Sequence, residues 1–308
     1  RGLSLSPSKA SAMSALNELE LGTNPNLLDK GSTTLISLPA ELGMLLKLTR
    51  LDLSGTVTTS FINSSSLDIL SSLTNLEVLN MGDCRVRGRL PTSMSRLSKL
   101  SELNFQVNEL TGPIPNEILA PELRRLDLQQ NKFTGPLPPK LAYLTDLTSL
   151  QLGSNKLTGP IPMGLGNLTS LRSVDLSKNN FTCPIPNEIL APELRRLDLQ
   201  QNKFTGPLPP KLAYLTDLTS LQLGSNKLTG PIPMGLGNLT SLRIVDLSKN
   251  NFTCPAPSDL LDLNTRVRTN KAKQCIVEGQ CIPVGTQSCT IDLGNCVNFS
   301  FEAKTGRA

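Results

Sequence analysis

The chain has 308 residues, with 30 Lys and Arg against 25 Asp and Glu, and its formal net charge of +5 is spread without long single-sign runs. That mild excess favours an acidic partner but falls short of the basic, aromatic-bearing surface of a nucleic-acid binder, and no apolar run is long enough to span a membrane. Histidine is absent, which excludes Ser-His-Asp and Cys-His catalysis and the commonest metal ligand, and with aromatics at only 3% the core must be aliphatic.

The N-terminal part, residues 1–75, carries two irregular units of the pattern Leu-x-x-Leu-x-Leu-x-x-Asn, starting at Leu16 and Leu48. The chain opens at Arg1 within repeat-like material and shows no leader, as expected of a processed product or a fragment. From Leu76 the units become regular, with starts at Leu76, Leu100, Leu123, Leu147, Leu171, Leu194, Leu218 and Leu242, each 23 or 24 residues after the last. In one unit Leu147, Leu150 and Leu152 point inward from a short strand, Asn155 begins the turn, and Leu157 and Ile161 return to the interior. Each unit buries its leucines only because another stands beside it, so the stack is the physical unit.

The ninth position of the pattern holds Asn24, Asn108, Asn131, Asn155, Asn179, Asn202, Asn226 and Asn250, interrupted by Thr56 and Cys84. A buried amide there can satisfy backbone groups of adjacent turns, so these residues read as a structural ladder. The segment Leu-Thr-Gly-Pro-Ile-Pro at 110–115, 157–162 and 228–233 then gives the regular part, residues 76–257, a family likeness. It resembles the plant-type leucine-rich repeat of receptor-kinase ectodomains and polygalacturonase-inhibiting proteins. That resemblance implies an α/β solenoid. Its parallel sheet would line a concave, ligand-binding face, with short helices, 3-10 turns and loops on the convex face.

Within the regular part, residues 113–183 recur as 184–254, an offset of 184 − 113 = 71, with Ser173 against Ile244 the one mismatch. The copy is either a neutral duplication or assembly artefact, or a lengthening that suits a repeated surface. Three extra turns would displace a composite pocket by about 14 Å at sheet spacing, which a polymer-binding or structural surface tolerates better than a unique pocket.

On the outward strand face the cassette presents Arg124, Arg125, Asp127, Gln151, Arg172 and Lys178, copied as Arg195, Arg196, Asp198, Gln222, Arg243 and Lys249. Guanidinium forks suit carboxylates on an acidic glycan or protein, so these twelve are the candidate ligand-binding residues, although such charges often serve only solubility. Thr and Ser on the same face suggest ice binding only remotely, because Arg and Lys interrupt their columns. The aspartates of this face alternate with Gln and Arg, and no apolar pocket is legible that would raise one carboxyl's pKa above another's, so no catalytic residue, cofactor or metal is assigned.

The C-terminal segment, residues 258–308, lacks the repeat and crowds Cys275, Cys281, Cys289 and Cys296 into what reads as a disulfide-bonded cap, consistent with an oxidising compartment. Their spacing is unlike zinc knuckles. Cys84 takes the ladder position as a buried thiol. Cys183 and Cys254 replace a repeat glycine and stand three turns apart, too far to pair with one another. Cys254 can join the cap cysteines and leave Cys183 free, or either can link chains. Sequons stand at Asn63, Asn167, Asn180, Asn238, Asn251 and Asn298, those at Asn167 and Asn238 also fitting the repeat's own pattern.

These features point to a secreted or extracellular, non-catalytic glycoprotein at the cell surface or cell wall, binding a protein or acidic polysaccharide through its strand face. The other reading is a structural subunit of a cell-surface filament, stacked on itself through solenoid ends.

Overall fold

The computed structural model describes residues 14–24, 35–57, 59–253, 259, 275–281 and 289–293. Each Leu-x-x-Leu-x-Leu unit makes one three-residue strand, as in Arg125–Asp127 and Ser149–Gln151. Alternate side chains of a strand point to opposite faces, so Leu126, Leu150, Val174, Leu197, Leu221 and Val245 are buried in one row while their neighbours face outward. The strands pair parallel and in strict register, Leu126 beside Leu150, Leu150 beside Val174 and Val174 beside Leu197. Strands from successive repeats, Glu18–Glu20 through Ile244–Asp246, are neighbours in one twelve-stranded sheet, which Cys275–Cys281 and Cys289–Leu293 extend. The last two form an antiparallel hairpin, with Cys275 beside Val245. The other C-terminal residues, including Cys254, Cys296 and Asn298, lie outside the described residues, as do 1–13.

After each strand the chain turns through a left-handed residue, for example Gln130 (φ 54°), Ser154 (φ 57°) and Lys178 (φ 52°), which delivers the ladder asparagine inward. Asn155 shows the pattern. Its Oδ1 accepts the Phe133 N–H at 3.0 Å and its Nδ2 donates to the carbonyls of Leu128 at 2.9 Å and Leu152 at 3.1 Å. Three backbone groups in adjacent turns are satisfied by one amide, and each would cost about 1–3 kcal/mol if left buried and unpaired. Where the amide is replaced the interaction is abbreviated: the Thr56 hydroxyl donates to the Leu53 carbonyl at 2.6 Å, and the Cys84 thiol reaches the same carbonyl at 2.9 Å.

Beyond the ladder the chain forms a second set of short strands on the flank of the solenoid, in sheets of seven and three strands. These are staggered, so that Thr134 stands beside Lys156 and Thr158 beside Asn180. Their inward residues include Phe133, Phe181, Phe204 and Phe252, all buried, with the rings of Phe181 and Phe204 stacked at 6.0 Å. Where the two flank sheets meet, Pro184 bridges Thr205 and the Lys203 and Thr205 N–H groups donate to the Phe181 and Cys183 carbonyls at 2.9 and 3.1 Å; Cys183 takes a left-handed conformation (φ 70°) where other repeats have glycine.

The convex connections are short 3-10 segments such as Pro139–Tyr143 and Met163–Asn167, each entered from a proline whose fixed φ suits a turn start. The 28-residue spacing from Leu48 to Leu76 accommodates a flank strand, Phe61–Asn63, and a nine-residue 3-10 segment, Ser64–Ser72, whose first amides are capped by the Asn63 side chain at 3.1 Å. The architecture is the expected α/β leucine-rich-repeat solenoid, with 3-10 turns carrying its convex side among the described residues.

Candidate functional site

Two outward columns run down the strand face. The first residue of each strand gives Glu18, Arg50, Val78, Glu102, Arg125, Ser149, Ser173, Arg196, Ser220 and Ile244. The third gives Glu20, Asp52, Asn80, Asn104, Asp127, Gln151, Asp175, Asp198, Gln222 and Asp246.

The carboxylates and amides of the third-residue column also hold the backbone. Oδ1 of Asp52, Asp127, Asp175, Asp198 and Asp246 accepts the N–H two residues on, at 2.9, 3.1, 2.9, 3.2 and 2.9 Å. Asn80 and Asn104 do the same for Gly82 and Gln106. An Asp or Asn that closes a turn on its own backbone is selected locally, so Asp127 and Asp198 have a structural task at positions the sequence offers as ligand contacts.

The structure corrects the expectation that no carboxyl of this face is set apart. Within one cassette a glutamine separates the aspartates, as in Asp127, Gln151, Asp175, but at the junction of the two copies Asp175 stands directly beside Asp198. Asp198 is only 2% exposed. Burial first, and then the charge of Asp175, push its carboxyl up to about 6, against the opposing Gln200 amide and the Arg196 guanidinium 3.8 Å away. Burial likewise raises Asp127, with smaller opposing contributions from the Gln129 N–H and Arg125.

The remaining candidates divide by position. Arg125 and Arg196 project from the strands, exposed. Arg124, Arg172, Arg195 and Arg243 precede the strands at the rim, also exposed, where Arg172 pairs with Glu193 at 3.0 Å. Gln151 donates to Ser149 and Ser173 at 3.2 and 3.0 Å, and Gln222 to Ser220 at 3.5 Å. Lys178 and Lys249 leave the strand face: they occupy the left-handed turn that leads to the flank strands.

A depression of about 180 Å³ lies on the strand face, running from the irregular N-terminal repeats to the first strand of the duplicated cassette, lined by Arg50, Val78, Asn80, Glu102, Asn104, Arg125 and Asp127 among others. Only Arg125 and Asp127 were legible as candidates. The available signal was Asn in place of Asp at 80 and 104 and an apolar Val78 between Arg50 and Glu102, which lower the charge of the floor without removing it, since Glu102 and Asp127 also line it. The Asn80 amide donates to Asp52 at 2.9 Å.

Of the sequons, Asn167, Asn238 and Asn251 are exposed, and Asn63 and Asn180 are half-buried. Asn167 and Asn238, which also fit the repeat pattern, are thus at least as open as Asn180. Cys84 is buried, and that burial raises its thiol to about 11; Cys183 is exposed with a free thiol. The side chains of Cys275, Cys281 and Cys289 lie outside the described residues.

Models of the leucine-rich repeat match residues 121–181 and 192–252, and a further one matches 75–97. No curated protein sequence matches the chain. Among solved structures it is similar to a TDR receptor, at 32% identity and TM-score 0.74 over 84% of this chain and 43% of that one. It is also similar to the ectodomain of the Arabidopsis receptor kinase HAESA in complex with an extended IDA peptide hormone, at 30% identity and TM-score 0.68 over 82% and 40%. A plant ice-binding protein aligns at 26% identity and TM-score 0.63 over 82% and 77%. The chain spans less than half the length of the two receptor chains. Repeat period, ladder, parallel register and these likenesses agree: the chain belongs to the leucine-rich-repeat proteins, and its repeats are of the plant type.

Proposed function

We propose that the protein is an extracellular, non-catalytic scaffold whose strand face binds an extended segment of a partner protein or peptide, anchored in the depression between Arg50 and Arg125. The observation that carries this reading is the depression itself. Its floor of Asn80 and Asn104 offers amide donors and acceptors to a partner's backbone, Val78 offers an apolar contact, Arg125 at one end suits a carboxylate, and Arg50 at the other is held by Glu20 at 2.8 Å, with the Glu102 and Asp127 carboxylates beside them. The HAESA ectodomain, a similar solenoid, is described with a peptide hormone bound, which supports a peptide as the class of ligand here.

The test is capture of peptides from a library of secreted sequences by the full chain, followed by titration against variants. Val78→Trp, which fills the depression, and Arg125→Glu should each weaken captured peptides by at least about tenfold. Peptides that bind both variants as tightly as the parent would overturn the assignment.

A further inference from the structure

Charge is segregated around the solenoid. On the strand face and its rim the arginines stand among acids: Arg50 pairs with Glu20 at 2.8 Å, Arg172 with Glu193 at 3.0 Å and Arg196 with Asp198 at 3.8 Å. The flank is different. Six consecutive repeats each place one exposed lysine on it or at its edge: Lys132, Lys156, Lys203 and Lys227 just after the ladder asparagine, and Lys178 and Lys249 two positions earlier, in the left-handed turn that leads to the flank. Residues 130–136, 154–160, 178–184, 201–207, 225–231 and 249–253 contain no Asp or Glu. Lys132 pairs with Glu109 at 2.8 Å, and among the described residues no carboxylate lies within ion-pair distance of the other five. Five steps at about 4.8 Å spread the row over roughly 24 Å.

The stagger of the flank strands sets a hydroxyl beside three of these lysines, Thr111 beside Lys132, Thr134 beside Lys156 and Thr205 beside Lys227, whereas Thr158 and Thr229 stand beside Asn180 and Asn251. Along the lysine-bearing turns the aromatic residues Phe133, Phe181, Phe204 and Phe252 are fully buried and offer a nucleic-acid base no ring to stack on, and the half-buried Phe61 at the N-terminal end of the flank is covered by Arg85 and Arg87 at 4.3 and 3.8 Å. Lys, Thr and Asn alternate outward, with no apolar stripe to enter a bilayer.

We infer that this flank is a second binding surface, distinct from the strand-face depression, and that it takes a linear acidic polysaccharide along the stack. One carboxylate per sugar recurs on the same order of spacing as the strands, which lets successive ammonium groups meet successive carboxylates while the threonines meet sugar hydroxyls. The choice of a polysaccharide over other polyanions rests on the extracellular reading above; the surface itself does not. The duplication gains a function on this account, because copying three turns doubles the lysine row without disturbing any single pocket, and contacts along a polymer reinforce one another. An N-glycan on Asn180 would stand within the row, beside Thr158.

The test uses the full chain carrying N180Q and N251Q, so that no glycan crowds the row. Its binding to a soluble homopolymer of uronic acid, to the neutral polymer of the same sugar backbone and to double-stranded DNA is measured at low and high salt. Affinity for the uronate polymer that falls steeply with salt, with none for the neutral polymer, is the expected result. The variant with Lys132, Lys156, Lys203 and Lys227 changed to Gln should bind about tenfold more weakly or worse, with a flatter salt dependence, while R125Q/R196Q binds as the parent does. These lysines are exposed, and an unchanged circular dichroism spectrum and melting point confirm that the variant is folded. Absence of uronate binding at low salt, loss in R125Q/R196Q in place of the lysine variant, or equal affinity for DNA overturns the inference. Failure here leaves peptide capture by the depression untouched, and the reverse also holds.

Discussion

Replacing Asp198 by Asn should stabilise the protein in a manner set by pH. An unfolded aspartate titrates near 3.9, whereas Asp198 in the folded chain titrates at about 6, with burial the main cause and Asp175 in the adjacent strand the next. Well below pH 4 the group is neutral in both states and costs nothing. As pH rises from about 4 to 6 the unfolded chain ionises first, so folding stability falls, and above about 6 the full penalty is present. A difference of about two pK units corresponds to roughly 2–3 kcal/mol. Asn retains an oxygen to accept the Gln200 N–H, now at 3.2 Å, and forfeits the loose Arg196 contact, worth under about 1 kcal/mol. The expected net gain at pH 7 is therefore about 2 kcal/mol, or roughly 3 °C in Tm for a chain of 308 residues. Urea unfolding of parent and variant at intervals from pH 4 to pH 8 measures it. A gap that opens between pH 4 and 6 and then levels off is the expected result; a pH-independent gap, or destabilisation at pH 7, refutes the reasoning.

Asn155→Ala removes one acceptor and two donations from the ladder, and urea unfolding should register a loss of about 3–5 kcal/mol, whereas a loss under about 1 kcal/mol would deny the ladder its structural role. Cys183→Gly restores the residue that a left-handed backbone favours and should raise stability by about 1 kcal/mol in the same assay. Maleimide labelling at pH 7, read by mass spectrometry of peptides, should modify Cys183 within minutes and leave Cys84 untouched until denaturant is added, since Cys84 is buried and its thiol raised to about 11; early labelling of Cys84 would contradict its place in the core.

The solenoid was legible in the sequence because one unit repeats its geometry. The Leu spacing fixes which side chains of each strand turn inward, and Asn at the ninth position announces the turn, so register followed from the repeat alone. The site was less legible. Lys178 reads in sequence as a strand-face neighbour of Asp175, yet it occupies the left-handed turn that leads off the strand face, two positions before the site that Lys156 and Lys203 hold. The pairing of Asp175 with Asp198 depends on which cassette ends meet, and the exposure of one carboxyl depends on its neighbours across three strands. The depression escaped for a related reason: it is made by the absence of charge at Asn80 and Asn104, and an absence carries little signal in one sequence.

The central claim is that partners seat on the strand face between Arg50 and Arg125, and hydrogen–deuterium exchange of the full chain with a captured peptide tests it most directly. Protection concentrated in peptides spanning 50–52, 78–80, 102–104 and 125–127 is the result this account expects. Protection confined to the convex 3-10 segments or to the flank strands, with the strand-face peptides exchanging as in the free protein, would contradict it.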